Sequence, residues 1–296
     1  MPAQTSSQVT VQKIQYRSWP DSLILSNGKV EAVIVPAIGR VMQFRFAGEE
    51  DGPFWENADL FGKSPDPKSS TWGNFGGDKT WPAPQSEWPK ITPRSWPPPQ
   101  AFDSMPVTVE FKHTVLSRMV ELVSPVDPHF GIRTRRLIQL NGSRPQMTIT
   151  TTYEKVEGNT VTVGVWIITQ LKDPQAVHIP TPKDSIFAKG YTEQSKQLPA
   201  GLKRQGRLLS LVRDSKASTK IGTDASSLLW IGDKYTLRID SPRLHKQTYP
   251  DQGSSAEVYT NPDPLTYVEL EMLGPLKTMK VGDRIKHTNT YTLSHK

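Results

Sequence analysis

Hydrophobic and polar residues alternate with a period of two along almost the whole chain. The early segments DSLILSN, KVEAVIVP and RVMQFRF have this pattern, and five longer segments repeat it between residues 106 and 171. Turn-forming pairs such as Asn141-Gly142 and Gly158-Asn159 separate some of them. A period of two is typical of strands, whose side chains point alternately to the two faces of a sheet. Since no segment combines a 3.6-residue period with helix caps, the pattern predicts an all-β, antiparallel fold.

One region interrupts the alternation. Residues 53–106 hold eleven of the 26 prolines and five of the eight tryptophans. Proline cannot donate to a sheet ladder, so we expect no central strand there, and the many aromatic residues argue against disorder. Long irregular insertions of this kind are usually functional. We therefore predict a single domain over residues 1–296, with an ordered loop at about 53–106 laid over one face or mouth of the sheet.

The composition removes several kinds of chemistry. The 296 residues include no cysteine, which excludes a thiol nucleophile, a CxxC redox pair and an iron–sulfur cluster. The six histidines have no spacing typical of metal ligands, so we expect no metal and no cofactor. No apolar run is long enough to span a membrane, and the first residues do not resemble a secretory signal. The sequence leaves the compartment and the oligomeric state open and favours the cytoplasm only slightly.

The formal net charge of +7 favours anionic partners in general. The basic residues are spread thinly, however, and their densest cluster contains Arg133 and Arg135 on one face of a predicted strand. We expect no nucleic-acid partner for this reason. Binding of an anionic polymer such as an acidic polysaccharide remains a less favoured alternative to the functions considered below.

The segment 74–85, NFGGDKTWPAPQ, is the first candidate for a binding site. Its two glycines let the backbone approach a ligand closely or adopt a positive φ. Asp78, Lys79 and Gln85 carry hydrogen-bonding groups that suit hydroxyls, and Trp81 offers a flat apolar ring that suits the C–H face of a pyranose. The alternative is a tight turn in which Trp81 closes the edge of the core.

The second candidate is the strand YVELEM at residues 267–272. Its alternation places Glu269 and Glu271 on one face and the aliphatic residues on the other. Carboxylates two residues apart on a strand lie ~7 Å from each other, close enough to couple their pKa values in an enclosed site. Either could then act as a general base near neutral pH. The alternative is a solvated outer face that simply carries charge.

The order of these parts resembles the galactose mutarotase (aldose 1-epimerase) superfamily, and within it an uncharacterised mutarotase-like family. The resemblance rests on the strand and turn EAVIVPAIGRV at residues 31–41, on Gly-Gly and Trp-Pro within 76–82, on the long strands of 131–171, and on Val-Glu, Gly-Pro and Val-Gly-Asp within 268–283. It covers roughly residues 20–296. It implies a supersandwich of antiparallel sheets with a carbohydrate site on a concave face.

The resemblance also implies roles for individual residues. The family uses a late glutamate as general base on the anomeric hydroxyl, and the spacing to Pro275 favours Glu269, while Glu271 stays possible. The family's general acid is a histidine, but Trp166 stands at the matching position of this chain. A second sugar-binding histidine is also missing, and Gln100 is the nearest polar residue there.

We therefore expect a carbohydrate-binding protein, and, if it is an enzyme, a sugar isomerase or epimerase with Glu269 or Glu271 as base. The alternative is a non-catalytic glycan-binding or scaffold protein. The candidates for a replacement general acid are Lys79, His245 and His129. The residues expected to bind the sugar are Asn74, Asp78, Lys79, Trp81, Gln85, Trp166, Gln170 and His245.

Overall fold

The computed structural model describes residues 8–66, 69–114, 118–199 and 201–296. Strands occupy 48% of the chain and helices 7%, which confirms the all-β prediction. The strands pair antiparallel in two sheets. In the described ranges the α-helices are two single turns, α1 (Trp88–Ile91) and α2 (Gln100–Asp103), both within the proline-rich region. Among the described residues, no helix has the length and apolar character needed to cross a membrane.

The first sheet has eleven strands. In spatial order its main path is β1 (Thr10–Tyr16), β2 (Trp19–Ser26), β3 (Val30–Val35), β4 (Arg40–Phe46), β5 (Asp78–Ala83), β10 (Val161–Lys172), β19 (Tyr267–Leu273), β18 (Ala256–Thr260), β15 (Thr219–Thr223) and β12 (Thr192–Glu193). The short strand β20 (Lys277–Met279) pairs with the start of β10.

The second sheet has ten strands. Its spatial order is β13 (Lys203–Gln205), β14 (Leu208–Leu211), β11 (Ala176–Pro180), β16 (Ser227–Ile231), β17 (Tyr235–Asp240), β21 (Arg284–His295), β9 (Gln146–Lys155), β8 (Ile132–Leu140), β7 (Arg118–Val123) and β6 (Thr108–His113).

The main core lies between the two sheets. On β19 the residues Val268, Leu270 and Met272 belong to the same apolar cluster as Leu237 and Ile239 of β17 in the other sheet. Burying such side chains stabilises a fold by roughly 1.5–3 kcal/mol each. The alternation predicted for β19 is therefore confirmed, and the glutamates of this strand must point away from the second sheet.

The strand β5 shows that one expectation about residues 53–106 was wrong, because a strand of that proline-rich region lies inside the first sheet. It pairs with β10 from Asp78 to Ala83, but with β4 only at Asp78. The carbonyl of Pro82 accepts a hydrogen bond from the indole Nε1 of Trp88 at 2.7 Å. Since the N–H and C=O groups of a residue in an antiparallel strand point to the same edge, the missing donor of Pro82 faces away from β10. A proline is tolerated there because no ladder bond is lost.

Candidate functional site

Five adjacent strands of the first sheet, β5, β10, β19, β18 and β15, share an outer face that points away from the second sheet. We call it the site face. It carries charged, amide and tryptophan side chains, all buried except the partly exposed Lys220. Its members are Lys79, Trp81, Trp166, Gln170, Lys220, Glu257, Glu269 and Glu271.

The centre of the site face is an ion pair between Lys79 and Glu269. Their Nζ and Oε1 atoms are 3.4 Å apart, although 190 residues separate them in the chain. The lysine side chain is fully buried, whereas 9% of the Glu269 side chain stays exposed. The 74–85 segment and the glutamate strand, the two candidate segments of the sequence, thus meet at this point. Glu269 is therefore the member of this ion pair that a ligand from solution can reach.

The surroundings of Lys79 make its ammonium group acidic for a lysine. Burial lowers the pKa of Lys79, and the neighbouring charge of Glu269 only partly opposes this. The ammonium also lies over the rings of Trp72 and Trp81, at 5.5 and 5.1 Å from their centroids. A proton donor with a lowered pKa thus stands directly beside the candidate base.

A second lysine, Lys220 on β15, links two glutamates. Its Nζ atom is 2.6 Å from Oε2 of Glu257 and 2.9 Å from Oε2 of Glu271. It also lies 4.6 Å from the centroid of Trp166, whose Nε1 donates to Glu271 at 2.7 Å. Burial by itself would lower the pKa of Lys220, but the two carboxylates raise it above the ordinary value.

Glu271 is less accessible than Glu269, because only 1% of its side chain is exposed, against 9% for Glu269. Burial raises the pKa of Glu271 well above that of a free glutamate; Lys220 opposes this shift and Glu257 adds to it. Glu269 is therefore the carboxylate of the strand that is better placed to accept a proton from a ligand.

A wall of tryptophans lies beside the Lys79–Glu269 pair and is held by Asp103 of α2. The Asp103 carboxylate accepts hydrogen bonds from Nε1 of Trp81 at 2.8 Å and from Nε1 of Trp72 at 3.2 Å. The buried Arg40 fixes the carboxylate in turn, at 2.8 Å. Trp96 packs edge-on against both rings. The wall therefore presents rigid apolar surface next to charged groups.

Two amide side chains at the Glu269 end of the site face lack hydrogen-bond partners. Gln170, opposite Glu269 in the β10–β19 ladder, is fully buried. Neither its Oε1 nor its Nε2 atom has a partner among the described residues, and the same holds for Oδ1 of the buried Asn74. The phenol of Tyr267 lies within reach of both amides, but its single proton can be donated to only one of their oxygens. Of the eleven buried side-chain atoms without a partner among the described residues, three lie here, and Gln170 contributes both atoms of its amide. Such unpaired atoms call for an explanation.

Two glycines bring these residues together. Gly76 and Gly77 both have positive φ angles. A Cβ atom on Gly76 would lie 2.2 Å from the carbonyl oxygen of Trp55, and one on Gly77 would lie 2.6 Å from that of Val41. Only glycine therefore allows the chain to pass between these backbones. This close approach places Asn74 before, and Lys79 after, the turn on one surface.

The structure separates three of the predicted binding residues from the others. The assignment of Asp78 to the site was wrong, because alternation along β5 turns it toward the second sheet, where it pairs with Arg136. Gln85 is exposed in a 3-10 turn after β5. His245 is exposed in the loop 242–247 and lines a separate groove of about 510 Å³, whose lining includes none of the site-face residues.

His129, another candidate acid, is also exposed, in the turn that follows Asp127. Of the three candidate acids, Lys79 alone contacts Glu269. The structure adds residues that the sequence reasoning missed, namely Arg40, Trp72, Asp103, Lys220 and Glu257. Lys220 and Glu257 are single charged residues in short strands, and nothing in their local pattern distinguishes them from solvated positions.

The arginines of β8 do not form a free basic stripe. Arg133 and Arg135 both lie within 3.3 Å of Glu154, and Arg135 also contacts Glu121. Arg136, the third of the cluster, is buried against Asp78. Much of the positive charge that suggested an anionic polymer is therefore paired within the protein. Among the described residues there is also no group of three or more acidic or histidine side chains that could hold a metal ion.

No family model matches this chain, and no curated protein matches its sequence. Solved structures do match. A galactose mutarotase-like protein from Clostridium acetobutylicum aligns over 97% of this chain and 99% of its own, with 10% identity and a TM-score of 0.60. A galactose mutarotase-like protein from Lactobacillus casei aligns over 92% and 100%, with 8% identity and a TM-score of 0.60.

A TPR-domain containing protein from Parabacteroides distasonis is similar over 92% of this chain, with 16% identity and a TM-score of 0.59. This chain spans 47% of the length of that protein. Identities this low establish the fold alone. The chain therefore has the galactose mutarotase-like fold, as the resemblance predicted.

Proposed function

We propose that this protein, which has the galactose mutarotase-like fold, binds a carbohydrate on the site face and acts on it with Glu269 as general base. The observation that carries the proposal is the set of three unpaired amide atoms, on Gln170 and Asn74, beside a partly exposed carboxylate. Leaving a buried polar atom unpaired costs about 1–3 kcal/mol. A ligand rich in hydroxyls, which donate and accept, matches the chemistry of these atoms.

The tryptophan wall supports the same class of ligand. Pyranoses have an apolar C–H face and a polar rim. Trp81 is only 4% exposed, so the wall offers a sugar the half-buried ring of Trp72, which lies beside Lys79 and Glu269. Binding sites commonly combine aromatic walls with a few well-placed polar groups. A sugar could rest on the ring while its hydroxyls reach the amides and the carboxylate.

The proposed chemistry is opening of the sugar ring. Glu269 takes the proton of the anomeric hydroxyl, the bond from the anomeric carbon to the ring oxygen breaks, and Lys79 gives its proton to that oxygen. The product is the open-chain aldehyde, and the reverse steps on the other face of the carbonyl give the other anomer. The lowered pKa of Lys79 suits it to the donor role.

One observation favours non-catalytic binding as a second candidate function. Trp166 stands where the resembled family has its histidine, and its indole N–H already donates to Glu271. An indole donates a hydrogen bond but does not give up its proton near neutral pH. A protein that only binds sugar needs no proton donor at this place.

Polarimetry on fresh α-D-galactose and α-D-glucose separates the two functions. For an enzyme, Glu269→Gln is expected to slow mutarotation by roughly 10²–10⁴-fold, the usual contribution of a positioned proton-transfer group. Glu31→Gln, on β3 and paired with Arg45, is the matched control and should keep the parent's rate. Glu271→Gln tests whether the neighbouring carboxyl contributes.

Calorimetric sugar titrations of the same variants complete the test. A parent protein that binds a sugar without accelerating mutarotation would support the binding function. A parent that neither binds nor converts any sugar would contradict both.

A further inference from the structure

Trp96 is the one tryptophan of the eight, all of them in the described part of the chain, whose side chain is largely exposed. It keeps 43% of its surface accessible, while the other members of the wall are buried or half-buried. A single exposed apolar side chain needs no explanation, but contiguous apolar surface is informative, and Trp96 continues the cluster of Trp72 and Trp81 into solvent. Its exposure does not follow from a loose backbone, since the next residues, Pro97 and Pro98, are buried.

Trp96 is connected to the charged centre through the ring of Trp81. The ammonium of Lys79 lies 5.1 Å from the centroid of Trp81, and the centroid of Trp81 lies 5.9 Å from that of Trp96. Trp96 also packs against Trp72 at 5.3 Å, with the two planes at 72°. These edge-on contacts hold the indole and leave part of it open to solvent.

The surface next to Trp96 continues as a groove. A cavity of about 250 Å³ is lined by Trp72 and Asp103 of the wall, and on its other sides by Pro97, Pro98 and Gln100. Gln100 is fixed by a bond from its Nε2 to a backbone carbonyl at 3.0 Å. The apolar surface therefore extends beyond what one pyranose beside Glu269 would cover.

From this arrangement, and resting on the proposed function, we infer that Trp96 forms a second sugar subsite and that the natural ligand is a glycan of at least two residues. The first residue lies beside Glu269 and the half-buried Trp72, since Trp81 is only 4% exposed. The second stacks its C–H face on the exposed indole of Trp96 and reaches toward the groove beside Trp72. The added affinity comes from burying the Trp96 ring.

Calorimetry on the full chain tests the subsite. The probes are matched mono-, di- and tetrasaccharides of α-1,4-glucan, β-1,4-glucan, β-1,4-galactan and β-1,4-mannan. In the series that binds, we expect affinity to rise at least tenfold from mono- to disaccharide. Trp96→Ala should reduce the disaccharide affinity to that of the monosaccharide and change monosaccharide binding by less than twofold.

Two further variants serve as controls. Trp96→Tyr keeps an aromatic ring and should restore most of the gain with length. Phe111→Ala removes another exposed aromatic residue, 61% accessible and on β6 of the other sheet, and should leave both affinities unchanged. If Trp96→Ala does not fold, the length series of the parent and Trp96→Tyr still decide.

The outcomes separate the inference from the function on which it rests. Monosaccharide binding that does not strengthen with length, or a gain that survives Trp96→Ala, would overturn the second subsite and leave the proposed function standing. Failure to bind any length in all four series would count against the proposed function, and the subsite would fall with it.

Discussion

Asp78 and Lys79 are neighbours on β5, and both are charged and fully buried, yet their surroundings differ. Asp78 faces the second sheet, where Arg136, Thr169 and Tyr291 donate to its two carboxylate oxygens. Lys79 faces outward and pairs with Glu269, which stays partly exposed. Strand alternation alone places the two residues in these different environments.

The difference lies in how the two carboxylates are held. Both oxygens of Asp78 accept hydrogen bonds from buried donors, although Nε of Arg136 in the same network has no partner among the described residues. The Asp78 carboxylate has no oxygen left for a ligand, whereas the surface around Lys79 and Glu269 includes the unpaired amide atoms of Gln170 and Asn74. We interpret the first region as structural and the second as the region that binds. The predictions below test that division.

The largest effect is expected from Asp78→Asn. The substitution leaves the Arg136 guanidinium buried without a counter-charge, and breaking such a pair typically costs about 3–5 kcal/mol. Urea unfolding followed by tryptophan fluorescence measures the free energy of unfolding. The control is Asp21→Asn, in an ion pair with Lys13 in which both side chains are mostly exposed, where we expect a loss within ~1 kcal/mol. Equal stability of the two variants would contradict a structural role for Asp78.

Two buried glutamines test the division within one sheet. Both amide atoms of Gln43 bond to the backbone of Phe54, at 3.2 and 3.3 Å, whereas those of Gln170 have no partner among the described residues. Gln43→Met should lower the free energy of unfolding by about 1–3 kcal/mol, because it leaves polar backbone groups unpaired. Gln170→Met should leave it unchanged or raise it, since it removes unpaired atoms.

Sugar binding is the second readout for the same pair of variants. Gln170→Met should weaken carbohydrate affinity at least tenfold, measured by calorimetry, whereas folded Gln43→Met should bind as the parent does. A Gln170→Met protein that is destabilised as much as Gln43→Met would mean that the Gln170 amide has a structural role.

The smallest of these effects concerns pH at the rim of the site face. Burial, with a further contribution from Glu257, raises the pKa of Asp251 from 3.8 to about 6. The folded state then holds a proton that the unfolded state has lost, so this contribution to stability is present below pH 4 and disappears as the pH rises through 6. The full shift corresponds to about 3 kcal/mol, and partial exposure reduces it to about 1–2 kcal/mol.

Asp251→Asn should remove that pH dependence. Relative to the variant, the parent is expected to lose about 1–2 kcal/mol of unfolding free energy between pH 4 and pH 7. Urea titrations of both proteins across this range measure the difference. A constant difference at all pH values would mean that Asp251 does not titrate in this window.

The period of two in the sequence was enough to predict the all-β fold and the two faces of β19, because alternation is a local property of the backbone. The same alternation could have excluded Asp78 from the site. Adjacent residues of a strand point to opposite faces, and Asp78 directly precedes Lys79. The expectation for the proline-rich region failed for a related reason. A proline-rich composition argues against a central strand in general. Only the strand pairing shows that the edge of β5 at Pro82 has no neighbouring strand, so that the proline costs no ladder bond there.

What the tertiary structure decided is which distant residues meet. Lys79 meets Glu269 across 190 residues, and Lys220 rather than any histidine joins the two other glutamates. Asp103, in a helix of only four residues, accepts hydrogen bonds from Trp72 and Trp81 and so holds them in one wall. These contacts depend on strand order and register, which are set by packing across the whole molecule, and no local pattern records them. The sequence thus determined which side chains could do chemistry, and only the fold determined which of them stand together.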